Sequence, residues 1–216
     1  MGRTSDARER LIQACIDVVW PASYGAVGVD LICETAGVKK GSFYHFFPSK
    51  VDLVVAAIDA HWEGCRAGLD RIFSPTVPPL DRLRRYFAHV LARQIEVRNN
   101  YGRVLGCFYH CLGTECIQGL PAVAAQVQRV LSQYRSYLES AIRDAQASGD
   151  LDSTDPAADA NMLFACIEGA LAQARIHDDP EILRRLPEAG FALLGRPSSP
   201  APRPAKPRKI SKTARP

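Results

Sequence analysis

Two runs of this sequence concentrate the side chains that could do chemistry. The first, Ala36-Gly37-Val38-Lys39-Lys40-Gly41-Ser42-Phe43-Tyr44-His45-Phe46-Phe47-Pro48-Ser49-Lys50, crowds cations, a hydroxyl, a phenol and an imidazole together. Such groups reach phosphates and hydrogen-bond the edges of bases. The second, Gly106-Cys107-Phe108-Tyr109-His110-Cys111-Leu112-Gly113-Thr114-Glu115-Cys116, holds three cysteines. Cys107 and Cys111, four residues apart, would share one face of a helix. Arg103 one turn earlier, and His110 between them, are cations that would favour a thiolate, the reactive form. Three chemistries stay open. The cysteines could be small buried apolar residues. They could sense an electrophile or oxidant by way of a sulfenic acid or disulfide. Cys107, His110, Cys111 and Cys116 could also hold a metal, although no closed tetrahedral set is evident.

Helices must position both runs. Leu31, Ile32 and Ala36 fall on one side of a short helix ending at Gly37, where a tight turn needs positive φ. A second short helix restarts after Val38, with Lys39, Lys40, Ser42, Tyr44 and His45 on or near its outer face. Phe43, Phe46 and Phe47 can turn inward. Two short helices joined by a glycine turn, the second rich in phosphate-reaching groups, describe a helix-turn-helix. A preceding helix over 6–20 is capped by Ser5 or Asp6, repeats Leu11, Ala14, Cys15, Val18 and Val19 at helical spacing, and stops at Pro21. Pro48-Ser49-Lys50 starts a fourth helix, with Ser49 as N-cap, that runs to about Phe73. The loop Ser74 to Pro79 follows. Five more helices are expected at 80–98, 102–115, 121–148, 155–177 and 180–194, with breaks at Asn99-Asn100, Gly119-Leu120-Pro121, Ser148-Gly149-Asp150 and Asp178-Asp179-Pro180.

Residues 6 to 62, and the run 36–50 above all, resemble the DNA-binding domain of the tetracycline-repressor (TetR/AcrR) family of transcriptional regulators. The resemblance implies an all-α fold of about nine helices. It sets a DNA-binding domain over 4–64, with its helix-turn-helix at about 27–46, and a regulatory and dimerisation domain over 65–195. It assigns Lys39, Lys40, Ser42, Tyr44 and His45 to the DNA surface, with Gly41 allowing close approach of the DNA backbone. Lys50, with the N–H groups that open the fourth helix, would hold a phosphate. The family usually has Gly at position 23 and a hydroxyl near 28, where this chain has Ser23 and Gly28. That hydroxyl commonly reaches a phosphate, so one backbone contact is expected to be missing or made by a main-chain N–H.

Ile167 to Arg175 and Asp178 to Leu183 resemble the last two helices of many family members, which pair with their symmetry mates. The implied partners are a double-stranded DNA operator, a second copy of the chain and a small-molecule effector, with no cofactor and no membrane. Around Cys107 the chain also resembles the electrophile-sensing repressors of N-ethylmaleimide reductase operons, where the cysteine after this glycine is the reactive one. The expected effector site is therefore Cys107, Cys111, Cys116, His110 and Arg103. A repressor that senses a noncovalent apolar ligand without cysteine chemistry, or one that responds to a metal, remains the alternative.

Composition agrees. The chain has 216 residues and a formal net charge of +4. Arg196, Arg203, Lys206, Arg208, Lys209, Lys212 and Arg215 supply seven of its cations without an acid. Residues 1–195 then carry 20 basic against 23 acidic residues, a net −3. DNA affinity must come from a local patch. The proline-rich segment 196–216 is expected to be disordered, and could bind DNA nonspecifically or merely solubilise. The odd total of seven cysteines and the lack of a signal-peptide pattern point to a reducing cytoplasm. No phosphate-cradling glycine loop, Gly-x-Ser-x-Gly or His-Glu-x-x-His supports an enzyme.

Overall fold

The computed structural model describes residues 2–116 and 119–195, with side chains from residue 6 onward. Among the described residues there are nine α-helices and no strand: α1 Gly2–Val19, α2 Val29–Ala36, α3 Lys40–Phe46, α4 Lys50–Ile72, α5 Pro79–Tyr101, α6 Phe108–Cys116, α7 Pro121–Ala147, α8 Pro156–His177 and α9 Leu186–Leu193. A 3₁₀ helix, Pro180–Arg185, precedes α9 and replaces the first part of the helix expected over 180–194. None of these helices is long and apolar enough to cross a membrane. The basic segment from Arg196 lies outside the described residues.

The ends of the helices follow their end residues. Gly37 adopts φ 61°, and Gly37 N–H and Val38 N–H donate to Glu34 O and Cys33 O. This double closure is a Schellman turn, which needs a residue that tolerates the left-handed region. Ser49 Oγ accepts from Asp52 N at 3.3 Å and caps α4, as expected. Helix α1 instead begins at Gly2, so Asp6 lies inside it and pairs with Arg10 at 3.4 Å rather than capping. Helix α4 runs unbroken through 64–65, where a domain boundary was expected, and packs on α1, α5 and α7.

The main departure lies between α5 and α6. Helix α5 passes through Asn99 and Asn100 and ends at Gly102, and α6 begins only at Phe108. The intervening strap is held by Gln94, a buried side chain that donates to Gly106 O at 3.1 Å and accepts Gly106 N–H at 2.9 Å. Gly106 sits at φ 69°, and a Cβ there would stand 3.2 Å from Leu171 O. Both the dihedral and the close approach call for glycine. The buried core then runs without interruption from Leu11 and Trp20 of the N-terminal helices to Phe191 of α9. Arg82 of α5, itself buried, donates to Val77 O and Pro75 O of the loop after α4 and pairs with Asp144 of α7.

Candidate nucleic-acid interface and effector cavity

Helix α3 divides its residues cleanly. Phe43 and Phe47 are buried, Phe46 is half-buried, and Lys39, Lys40, Gly41, Ser42, Tyr44 and His45 are all exposed. Tyr44, 53 % exposed, is therefore not a core tyrosine, although its ring meets Phe43 edge-on. Lys40 is tied to Asp30 of α2 at 2.7 Å, and this carboxylate holds the ammonium pKa above its usual value. Leu31, expected on the inner side of α2, is 45 % exposed, whereas Cys33 takes the buried place.

Two cations behave differently from the sequence expectation. Lys50 is engaged within the protein: its ammonium donates to Tyr24 O and lies 3.8 Å above the Tyr24 ring. Partial burial lowers its pKa, so a phosphate would have to compete with this seat. The first turn of α4 is also occupied, since Ser49 takes the Asp52 N–H and Asp52 brings a carboxylate there. Arg10, missed by sequence reading, donates to Ala36 O at 2.8 Å and Gly37 O at 3.4 Å. It lines a groove with Lys39, Ser42 and His45 and ties α1 to the turn. Nothing in the local pattern of α1 marks this contact, which spans 26 residues.

The second run meets a cavity of about 270 Å³ between the end of α1, α6 and α8. Cys107, His110, Cys111, Trp20, Glu168 and Arg175 are among its lining residues. The expected constellation assembles only in part: Cys107, His110 and Cys111 line the cavity, whereas Arg103 and Cys116 do not. Arg103 is exposed on the non-helical strap, so it is not one helical turn from Cys107. Cys107 stands at the head of α6, where its carbonyl accepts Cys111 N–H and its sulfur faces His110 N–H at 3.4 Å. Burial, reinforced by the Glu168 carboxylate, pushes its thiol pKa well up, opposite to the expected activation. Cys116 is buried at the far end of α6, away from the cavity lining.

Cys111 has the cation instead. Arg175 Nη1 lies 2.6 Å from Cys111 Sγ and donates to Leu105 O at 2.9 Å. Burial still raises the Cys111 pKa, and Arg175 opposes that rise. His110 Nδ1 is 3.5 Å from Glu168 Oε2, long for a hydrogen bond, and among the described residues that buried oxygen has no hydrogen-bond partner. Burial lifts the Glu168 carboxyl to about 7. Among the described residues no group of three or more His, Cys, Asp or Glu converges as a metal site would need. Of the other cysteines, Cys15 and Cys33 are buried, whereas Cys65 and Cys166 are only half-buried.

Glu115, one residue before the end of α6, links the cavity to the N-terminal helices. Its carboxylate accepts Tyr24 N–H at 2.8 Å and Gly25 N–H at 2.6 Å. Tyr24 is the residue that also seats Lys50. Met162, Ala165, Gly169 and Ile176 leave an exposed apolar stripe along α8, with Ile176 also at the cavity, and Leu193 of α9 is exposed as well. Phe191 is buried against Phe87.

Residues 11–57 match the family described as bacterial regulatory proteins, tetR family, and residues 79–189 match the tetracyclin repressor-like C-terminal domain. The transcriptional regulator AcuR of Cereibacter sphaeroides is 34 % identical over 180 residues, covering 82 % of this chain and 80 % of that protein. The transcriptional repressor NemR of Escherichia coli K12 is 25 % identical over 173 residues, 79 % of this chain and 85 % of its own. A crystal structure of regulatory protein TetR from Rhodobacter sphaeroides superposes with a TM-score of 0.75 at 32 % identity, covering 85 % of this chain and 96 % of that one.

Proposed function

The chain belongs to the TetR family of DNA-binding transcriptional regulators, and from that premise we propose how this repressor reads its operator and lets it go. Helix α3 enters the major groove with Ser42, Tyr44 and His45 toward base edges and Lys39 toward phosphate, while Gly41 lets the DNA backbone approach. Lys40 contributes less net charge than its type suggests, because Asp30 already neutralises it. Arg10 holds the turn that aims α3. The observation that carries this reading is the division of α3: its aromatic pair Phe43 and Phe47 is buried, and its polar groups are exposed together. One such short helix binds weakly, and two-fold operators call for two. The apolar stripe of α8 with Leu193 is the surface we assign to a homodimer.

For release, a small molecule enters the cavity and shifts α6. The shift reaches the reading head through Glu115, which grips the α1–α2 connection at Tyr24 and Gly25. The thiols favour a noncovalent effector, since burial keeps Cys107 and Cys111 protonated at neutral pH. The Arg175–Cys111 contact favours a second reading, in which an electrophile adds to Cys111. Selection of binding sites from random duplexes tests the DNA assignment. Ser42 and His45 substitutions should change the preferred sequence. An unchanged preference with both variants would overturn it.

A further inference from the structure

The cavity lining brings together the cation Arg175 and the carboxyl groups of Glu115 and Glu168, neither of which pairs with it: Glu115 is taken up by the Tyr24 and Gly25 N–H groups, and Glu168 faces His110. Arg175 lines it, and both of its hydrogen bonds leave from Nη1, to Leu105 O and Cys111 Sγ. None of the ion pairs found among the described residues involves Arg175; Glu168, on the same helix, faces His110 instead. A part-buried guanidinium without a counter-charge is unfavourable. Among the described residues its Nε–Nη2 edge has no partner, and that edge can grip a carboxylate through two parallel hydrogen bonds.

A second group lacks a partner. Trp20 lines the cavity from the end of α1, is 4 % exposed, and its indole N–H, which can only donate, has no acceptor among the described residues. Val19, Phe108, Leu112 and Ile176 give the remaining lining an apolar part, beside the polar Ser23 and Thr114. At about 270 Å³ the space holds roughly nine waters' worth of volume at ~30 Å³ each, and falls below the ~300–1,000 Å³ of sites for drug-sized molecules. The occupant is small, apolar along its body and anionic at one end.

We propose that this cavity binds a small monocarboxylate, its carboxylate on the Nε–Nη2 edge of Arg175 with the Trp20 indole N–H as a further donor. The proposal rests on reading the cavity as the effector site. A ligand so placed touches both the N-terminal helices, through Trp20, and α8, through Arg175. Glu168 does not oppose it once protonated, a state that burial favours. The groups facing Glu168 are Cys107 and His110 at the head of α6 and Tyr86 of α5, with Cys111 and Arg175 sharing the cavity lining. Binding therefore takes up a proton when Glu168 starts ionised.

The test is calorimetric titration of the full chain, without DNA, with monocarboxylates from acetate to benzoate and with butyramide and butylamine. The carboxylate series should contain binders, and butyrate should bind at least about tenfold more tightly than its amide. Arg175→Gln should abolish that preference. Arg175→Lys, which keeps the charge but loses the fork, should fall between, and thermal melts establish that both variants are folded. Affinity should decline from pH 6.5 to 8.5, and Glu168→Gln should remove the decline. Absence of binding by every carboxylate at millimolar concentration would overturn the proposal. So would equal binding of acid and amide, tighter binding of butylamine, or an unaltered preference in Arg175→Gln. Because no DNA is present, such a failure leaves operator binding standing, whereas loss of the operator reading would show in DNA titrations alone.

Discussion

The carboxylate of Glu115 accepts the Gly25 backbone N–H at 2.6 Å across 90 residues of sequence, and takes the neighbouring Tyr24 N–H with its other oxygen. A carboxylate on two backbone donors is a charge-assisted pair, worth more than a neutral hydrogen bond. Its exposure reduces that worth to about 1 kcal/mol. Glu115→Ala should lower the melting temperature by roughly 2–4 °C, the usual shift for that energy in a chain of this size. It should also weaken operator binding by up to about tenfold, since the α1–α2 connection would no longer be held. Unaltered melting and unaltered affinity would show that the grip is incidental.

Lys39 and Lys50 should separate in salt titrations. Lys39 is exposed on the face proposed to meet DNA, so Lys39→Ala should reduce the slope of log affinity against log salt by about 0.9, one phosphate's worth. Lys50 is seated on Tyr24, so Lys50→Ala should leave the slope nearly unchanged and lower thermal stability instead. A full phosphate's loss of slope in Lys50→Ala would mean that the seat opens on DNA.

Gly28 is the N-cap residue of α2 with φ −87° and ψ 161°, and a Cβ there would meet nothing within 4 Å. A hydroxyl residue can occupy that position without strain and accept an N–H from the first turn. Gly28→Thr should raise stability by a few tenths of a kcal/mol and restore the phosphate-reaching hydroxyl usual in the family. Operator affinity measured by fluorescence anisotropy should rise several-fold at low salt. A fall in affinity would indicate that the DNA backbone needs the space a side chain would fill.

Much of the fold could be read directly because helix ends are local chemistry. Gly37 closes α2, Ser49 opens α4 and Asp178 closes α8 through groups a few residues away. What escaped are contacts whose partners lie far off in sequence. The strap before α6 depends on Gln94 answering both backbone groups of Gly106, so a helix pattern over 102–115 was the natural local reading. Arg103 was chosen as the cation beside the cysteines by that same helical spacing. The actual cation, Arg175, comes from 64 residues beyond Cys111. Lys50 was legible as a cation but not as one spent on Tyr24, because only the packed chain brings the loop under it.

The thiols should rank differently from their order in the motif. Cys107 is pushed far from ionisation by burial and by Glu168, while Arg175 offsets part of the burial at Cys111. Labelling with iodoacetamide at pH 8, mapped by mass spectrometry, should modify Cys111 faster than Cys107. Arg175→Gln should slow the Cys111 rate. Faster modification of Cys107 would return the electrophile reading to the residue after Gly106.

Two buried groups should give stability opposite pH slopes that conceal one another. Burial lowers the His61 pKa from 6.5 to about 4, because the ring is enclosed beside Trp20, Phe108 and Tyr109 and feels Arg93. The unfolded chain then binds a proton that the folded one refuses, so His61 makes stability fall as pH drops from 6.5 toward 4. Glu168 does the reverse, its pKa raised from 4.5 to about 7 by burial. The folded chain holds that proton where the unfolded one has lost it, so this contribution is complete below 4.5 and disappears as pH rises through 7. At ~1.4 kcal/mol per unit each effect approaches about 3 kcal/mol, and between pH 4.5 and 6.5 they largely offset. Glu168→Gln should therefore lose stability on acidification relative to the parent, and His61→Phe should gain it, in denaturant titrations at pH 4.5, 5.5 and 6.5. The comparison uses slopes against pH, so the loss of the His61–Tyr109 contact in the second variant does not obscure the sign. Parallel curves for all three proteins would show that neither group titrates out of register with the unfolded chain.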